Sequence, residues 1–296
     1  MQKEVVKQIE IYLDELKYDR AKEIFSNIAE GKMLRSRLIE AISGVDEKSI
    51  KLAATIELIH TASLLHDDVI DRADSRRGLP SINAKYGNIY AVMLGDILYS
   101  KAFSELSLMD KEISRSVSQA VCQLSIGEMM DVDYSKTFNK DLEIYNKIIY
   151  LKTGVLIEVA SKCAAILSGK DKQNLSIYGK NIGIAFQIAD DILDATADSK
   201  TLGKPAFSDF REGKSTLPFI ILYSKLPEDD ATKLVGLCGK EFDSTQEAWI
   251  KSKFEEFGII ELARREAFRL IEEALLYAKD EKGLVEIAKK MVDRKF

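Results

Sequence analysis

The 296-residue chain is short of everything that breaks or staples a fold. Only four prolines and 16 glycines interrupt it, and no Gly/Ser/Pro-rich or low-complexity stretch separates one part from another. That excludes a flexible linker and predicts a single, largely helical domain spanning residues 1–296. The three cysteines, Cys122, Cys163 and Cys238, are isolated and odd in number, so neither a disulfide framework nor a zinc site is indicated. A reducing cytoplasm fits that usage. No apolar run reaches the ~18 residues needed to span a bilayer, which argues against a transmembrane segment. The first residues, MQKEVVKQIEIYLDEL, form a charged amphipathic pattern without the apolar centre of a signal peptide. A basic excess is also missing: the net charge of -5 argues against nucleic acid as the partner.

Apolar residues, by contrast, are plentiful at 46%, enough for a sizeable core. They recur with helical spacing through residues 2–15, 33–43, 48–71, 89–107, 112–133, 141–168, 173–197, 214–224, 244–256 and 258–291. Strand-like alternation bounded by turns is nowhere convincing, so an all-α fold is predicted.

Within that helical text one acidic pattern occurs twice: Asp67, Asp68 and Asp71 in HDDVID, and Asp190, Asp191 and Asp194 in ADDILD. A helix turns about 100° per residue, so Asp67 and Asp71 share one face, as do Asp190 and Asp194. Clustered acids are usually a solvated helix face. That reading fits poorly here, because ELIHTASLL precedes the first copy and IGIAFQI the second. Repelling carboxylates at the ends of apolar helices make sense when hard divalent cations sit between them, and all-oxygen ligation by few protein groups suits Mg²⁺ holding substrate phosphates. A polar, basic loop follows each copy, RADSRRGLPSINAKYGN and DSKTLGKPAFSDFREGKSTLP. The echo suggests two metal-binding rims facing each other across one cavity.

Cations accompany the acids. Arg76 and Arg77 follow the first copy, Lys204 and Lys214 the second, and Lys152 precedes Thr153 in an otherwise apolar run. Lys32 and Arg35 stand apart, near the start. Singly each would pass for a surface cation; together they imply two anionic ligands, one held through metal and one directly by Arg and Lys. His60 could donate to a phosphate oxygen, and His66 either supports the motif beside it or is structural.

These segments, ELIHTASLLHDDVIDRADSRRGLPSINAKYGN, LKTG, GIAFQIADDILD and LGKPAFSDFREGKSTLP, resemble in order and spacing the trans-isoprenyl diphosphate synthases, over roughly residues 30–220. The resemblance implies an isoprenoid-synthase-type helical bundle around a deep apolar cavity, a homodimer, and condensation of isopentenyl diphosphate with an allylic diphosphate. By the same resemblance Asp67 and Asp71 are the first Mg²⁺ ligands, Asp190 the main ligand of the second motif with Asp194 beside it, and Asp68 and Asp191 give support. Arg76, Lys152, Thr153, Gln187, Lys204 and Lys214 would surround the allylic diphosphate and its C1; Lys32, Arg35, His60 and Arg77 would hold isopentenyl diphosphate. The chain departs from the family near its start, where Glu30, Met33 and Ser36 replace the usual second Gly, basic residue and Pro.

Ala62 and Ser63 bear on product length. Ser63 lies one turn, about 6 Å, below Asp67. Short-chain members of the family place an aromatic ring at these positions, so two small residues leave the tunnel open and the chain resembles long-chain, octaprenyl-type synthases. A short-chain farnesyl or geranylgeranyl diphosphate synthase is the alternative, with a non-catalytic subunit of a heteromeric synthase further off. A terpene cyclase is disfavoured by ADDILD, since its second site mixes Asn, Ser and Glu.

Overall fold

Asp46 opens the helix that carries the first acidic motif. Its carboxylate accepts from the Ser49 amide at 2.7 Å, while the Ser49 hydroxyl accepts from the Asp46 amide at 2.8 Å. This reciprocal cap satisfies two of the amides that a helix start leaves without partners. The computed structural model describes residues 1–29, 31–196, 206–278 and 281–292, apart from the side chains of residues 291 and 292.

In chain order the helices are α1 (Gln2–Asp14), α2 (Asp19–Phe25), α3 (Leu34–Ser43) and α4 (Glu47–Ile70). A two-residue hairpin follows, β1 (Ser75–Arg76) antiparallel to β2 (Leu79–Pro80), and then α5 (Ile82–Tyr86), α6 (Asn88–Leu106), α7 (Lys111–Tyr134) and α8 (Leu142–Ile149). A π-helical turn at Tyr150–Gly154 leads into α9 (Val155–Ser168), and α10 (Lys172–Thr196) carries the second motif. Beyond it lie the helices Ser208–Arg211, Leu217–Lys225, Glu228–Leu237, Ser244–Glu256, Ile259–Leu276 and Lys282–Val292.

The chain divides into two compact units, Met1–Cys122 with Leu156–Ser176, and Gln123–Val155 with Ile177–Phe296. At the centre of the first, α4 packs against α1, α3, α5 and α6. Leu52, Ile56, Leu58 and Ile59 on α4 have no exposed surface. Each contributes about 1.5–3 kcal/mol by leaving water, which is why a helix apolar on all sides stands in the middle rather than at the edge. The second unit is built on rings. Phe210 stacks on Phe219 at 3.9 Å and 3°, and Phe207 meets Phe254 edge-on at 5.8 Å and 85°. Ala195, one residue past Asp194, belongs to the same core, which fixes the end of α10.

Several elements differ from the sequence expectation. The run 141–168 is broken by the π-turn, which inserts an extra residue just where LKTG stands. The helix expected from 214 starts at Leu217, because Pro218 suits only the first turn, where no amide donor is required. The run 258–291 is two helices, ending at Leu276 and restarting at Lys282. Helices Asp19–Phe25, Ile82–Tyr86, Ser208–Arg211 and Glu228–Leu237 are too short or too polar for periodicity to reveal. The hairpin is likewise unforeseen; Arg77 and Gly78 at its tip both have positive φ, 53° and 78°, as a two-residue turn of this twist demands.

Candidate active site

Both aspartate motifs close a long helix at its C-terminal end, the negative end of the helix dipole. Asp71 is the C-cap residue of α4, its amide donating to the Asp67 carbonyl at 2.8 Å, and Asp190, Asp191 and Asp194 lie in the last two turns of α10. Neither helix has a basic residue in its last turn. Negative side chains there cost about 0.3–1 kcal/mol each instead of stabilising, so each motif is prepared for a cation from outside the helix.

Within each motif the three carboxylates play different parts. In the first, Asp68 is buried and one oxygen accepts from Arg76 Nε at 2.7 Å and Nη2 at 2.6 Å, while Asp67 is half-buried and Asp71 exposed. Asn83 donates to the Asp68 carbonyl at 3.1 Å and to the Ala73 carbonyl at 3.0 Å, fixing the chain where it leaves α4. In the second, Asp191 is buried; Tyr145 Oη donates to it at 2.6 Å and Gln187 Nε2 at 2.9 Å. Thr153 Oγ1 donates in turn to Gln187 Oε1 at 2.7 Å. Burial raises the Asp191 pKa well above the carboxylate range, as does nearby Asp209, against the two hydrogen bonds. The Asp209 amide donates to Asp194 at 3.2 Å.

Four cationic or ionisable groups gather in the first unit. Loss of hydration holds the His60 pKa well below 6.5, and the charges of Arg35, Arg77 and Arg76 add to the effect. Arg35 is buried at 9% exposure, its Nε finds no hydrogen-bond partner, and burial pulls its pKa down to about 10 despite Glu57. An orphaned guanidinium nitrogen of this kind is costly unless an anion completes it. Gly31 lets the Arg77 guanidinium approach, since a Cβ there would lie 2.9 Å from Nη1, and that nitrogen donates to the Ala29 carbonyl at 3.0 Å. Lys32 is exposed on the same loop, and Met33 after it takes a left-handed φ of 46°. Where the family has Pro, Ser36 donates to the buried Glu57 carboxylate from its hydroxyl at 2.7 Å and its amide at 3.2 Å. Ser36 thus keeps an amide donor for Glu57 that Pro would lack.

In the second unit the π-turn presents Lys152 to Asp131 at 2.5 Å and Glu128 at 2.8 Å. Burial works against its charge, but these carboxylates outweigh burial and like-charged Lys214, so its pKa stands above the usual lysine range. Lys214 Nζ also meets Glu212 at 2.8 Å. Lys204 lies outside the described residues. Ala62 has no exposed surface, whereas Ser63 keeps some, its hydroxyl donating to the His60 carbonyl at 2.8 Å. His66 packs on α6, with Nε2 3.1 Å from the Val92 carbonyl and its ring 5.7 Å from Tyr99. Glu57, Glu128, Asp131, Tyr145 and Asp209 escaped the sequence reading, because each is one ordinary residue whose partner is remote in sequence.

Only hard oxygens are offered by Asp67 with Asp71 and by Asp190 with Asp194, a donor set that fits a small divalent cation keeping water and phosphate oxygens in its shell. Among the described residues no three or more His, Cys, Asp or Glu side chains come together to hold a metal unaided.

An all-α chain in which aspartate motifs end two long helices has the fold of the isoprenoid synthases. The family model described as Polyprenyl synthetase matches residues 19–255, and the chain belongs to that family. It is similar to octaprenyl pyrophosphate synthase from Helicobacter pylori, at 43% identity and a TM-score of 0.94, over 99% of this chain and 100% of that one. A short chain isoprenyl diphosphate synthase from Methanothermobacter thermautotrophicus is 37% identical over 79% of this chain and 76% of its own length. A polyprenyl synthase from Caulobacter crescentus complexed with calcium and isoprenyl diphosphate has a TM-score of 0.81 at 27% identity, covering 99% of this chain and 98% of that chain. The protein is a trans-prenyl diphosphate synthase, a prenyltransferase of a family that generally depends on a divalent metal. Among the described residues no helix is long and apolar enough to cross a membrane.

Proposed function

We propose that residues 1–296 act as one polyprenyl synthase domain, a Mg²⁺-dependent enzyme that condenses isopentenyl diphosphate with an allylic diphosphate into a long, octaprenyl-like all-trans polyprenyl diphosphate. The observation that carries the reading is that two long helices each end in an aspartate motif with no basic residue in the last turn, while Arg35 Nε is buried without a hydrogen-bond partner. The long-chain part is supported by small residues at Ala62 and Ser63 and by likeness to the H. pylori octaprenyl enzyme. A homodimer in the cytoplasm is part of the proposal; exposed Ile89, Tyr90, Val92 and Met93 along one end of α6 support a self-association face.

In this mechanism Asp67, Asp71, Asp190 and Asp194 would hold the metal, with Asp190 the main ligand of its motif and Asp68 and Asp191 in support. Mg²⁺ held there would supply positive charge against the negative charge that grows on the leaving diphosphate. Arg76, Lys152, Lys204 and Lys214 draw on the same oxygens, and Lys152 suits the task because Asp131 and Glu128 keep it protonated. As the C1–O bond breaks, the Thr153 hydroxyl and Gln187 carbonyl flank the allylic cation with oxygen dipoles that do not trap it. Lys32, Arg35, His60 and Arg77 hold isopentenyl diphosphate, whose double bond attacks C1. The new cation then loses a proton to the departed diphosphate.

Incorporation of labelled isopentenyl diphosphate, with and without Mg²⁺ and with allylic starters of increasing length, tests the proposal. Chromatography of the dephosphorylated products separates a long-chain from a farnesyl or geranylgeranyl product, and no incorporation by the purified chain alone would identify a subunit that requires a partner.

A further inference from the structure

Tyr145 has no part in the mechanism above, yet it is a nearly buried tyrosine, 4% exposed, that spends its hydroxyl on Asp191. Three bonds form one line: Tyr145 to Asp191 at 2.6 Å, Gln187 to the other Asp191 oxygen at 2.9 Å, and Thr153 to Gln187 Oε1 at 2.7 Å. We propose that Tyr145 is a positioning residue for the condensation, acting through Asp191 to fix which way the Gln187 amide faces. The inference rests on the reading of Thr153 and Gln187 as flanking the allylic cation.

Donor and acceptor chemistry supplies the reason. Asp191 accepts from Tyr145 on one oxygen and from Gln187 on the other, so Gln187 turns its NH₂ toward Asp191 and its carbonyl the opposite way, toward Thr153. An amide has nearly the same shape after a half-turn. If Asp191 swings away, the turn costs little, and NH₂ would face the forming cation, replacing an attractive dipole by a repulsive one. The Tyr145 hydroxyl holds Asp191 on the side remote from Gln187 and so closes the line.

The backbone is arranged to hold both ends. Gln187 and Asp191 are one turn apart on α10, while Tyr145 and Thr153 sit on the continuous segment of α8 and its π-turn, eight residues apart. Eight residues of regular helix would leave Thr153 rotated about 80° from the Tyr145 face. The wider π-turn at Tyr150–Gly154 turns less per residue and brings Thr153 back toward it. Gly183 on α10 permits the approach, since a Cβ there would lie 2.6 Å from Gly154 Cα.

Steady-state kinetics with Tyr145→Phe, alone and in a Gln187→Ala background, test the proposal. Tyr145→Phe should lower kcat about tenfold or more, change KM for both diphosphates less than about twofold, and raise the share of allylic substrate released as alcohol through capture by water. In the Gln187→Ala background the same change should cost less than about twofold. A purely structural role would lower the melting temperature without the kcat-against-KM split. The proposal is overturned if Tyr145→Phe keeps the parent kcat, or if it costs the same factor in both backgrounds. A parent-like kcat in Gln187→Ala alone would instead sink the reading of Gln187. Should Tyr145→Phe not fold, Asp191→Asn, which needs no tyrosine donor, should show the same kcat loss, and adding Tyr145→Phe to it should cost less than a further twofold or so; an additive loss overturns the proposal.

Discussion

His60 resists protonation because it has lost hydration beside three arginines. His60 in the folded protein binds its proton only well below 6.5, while in the unfolded chain it does so near 6.5. Between those values the unfolded chain holds more protons, so this contribution to stability is intact above about pH 6.5 and is lost as pH falls toward the folded value. His60→Gln should therefore show a smaller drop in melting temperature between pH 8 and pH 5.5 than the parent; equal drops would show that His60 is not held neutral. Asp67→Asn and Asp190→Asn should each lower turnover by about a hundredfold or more, since in the proposed mechanism both would hold the metal that stabilises the leaving group. Their melting temperatures should stay level or rise slightly, because each removes a carboxylate from the negative end of a helix. Near-parent turnover in either would remove that residue from the metal site. Residue types were legible because their chemistry is local: an Asp four residues before another shares its face whatever the tertiary fold. Their partners were not, since nothing in YNKIIYLKTG says that Tyr145 will meet Asp191 rather than an apolar neighbour.

Among elements, the π-turn is the clearest case of local sequence overruled by packing. LKTG reads as ordinary helix, yet Tyr150–Gly154 is widened where Gly154 and Gly183 let two backbones touch and Gly127 accepts Leu151, a Cβ at Gly127 lying 2.7 Å from that side chain. Gly183→Ala would place a methyl against backbone, which cannot yield as a side-chain tip does. We expect a loss of about 1–3 kcal/mol, read by denaturant unfolding, together with a fall in turnover as Thr153 is displaced. An unchanged midpoint would mean that the helices separate freely there. The long helices α4, α6, α7 and α10 fall within a residue or so of their expected bounds because their apolar spacing runs for many turns. Short pieces such as Ile82–Tyr86 depend on Ser81 as a cap and on packing against α6, which periodicity does not register.

For the whole molecule, the open question the sequence posed is how long a product it makes. Ala62 is fully enclosed within the first unit, so a Phe there overpacks that core and would confound length with stability. Ser63 retains exposure, and Ser63→Phe is the cleaner probe. We expect it still to condense but to release shorter products than the parent, with KM for isopentenyl diphosphate little changed; an identical product distribution would show that Ser63 does not line the path of the chain. Relatives named for octaprenyl and for short-chain products lie at comparable identity, so this assay discriminates where similarity does not.

The sequence by itself determined the helical class, the two aspartate motifs, the cations and the family, because these depend on residue type, spacing and order along the chain. Tertiary structure alone decided that Asp68 meets Arg76, that Asp191 meets Tyr145 and Gln187, and that Arg35 Nε is left without a hydrogen-bond partner. Spacing on one helix fixes direction to within a face, but hydrogen bonding needs a partner within about 3 Å, and only packing between remote segments brings one there.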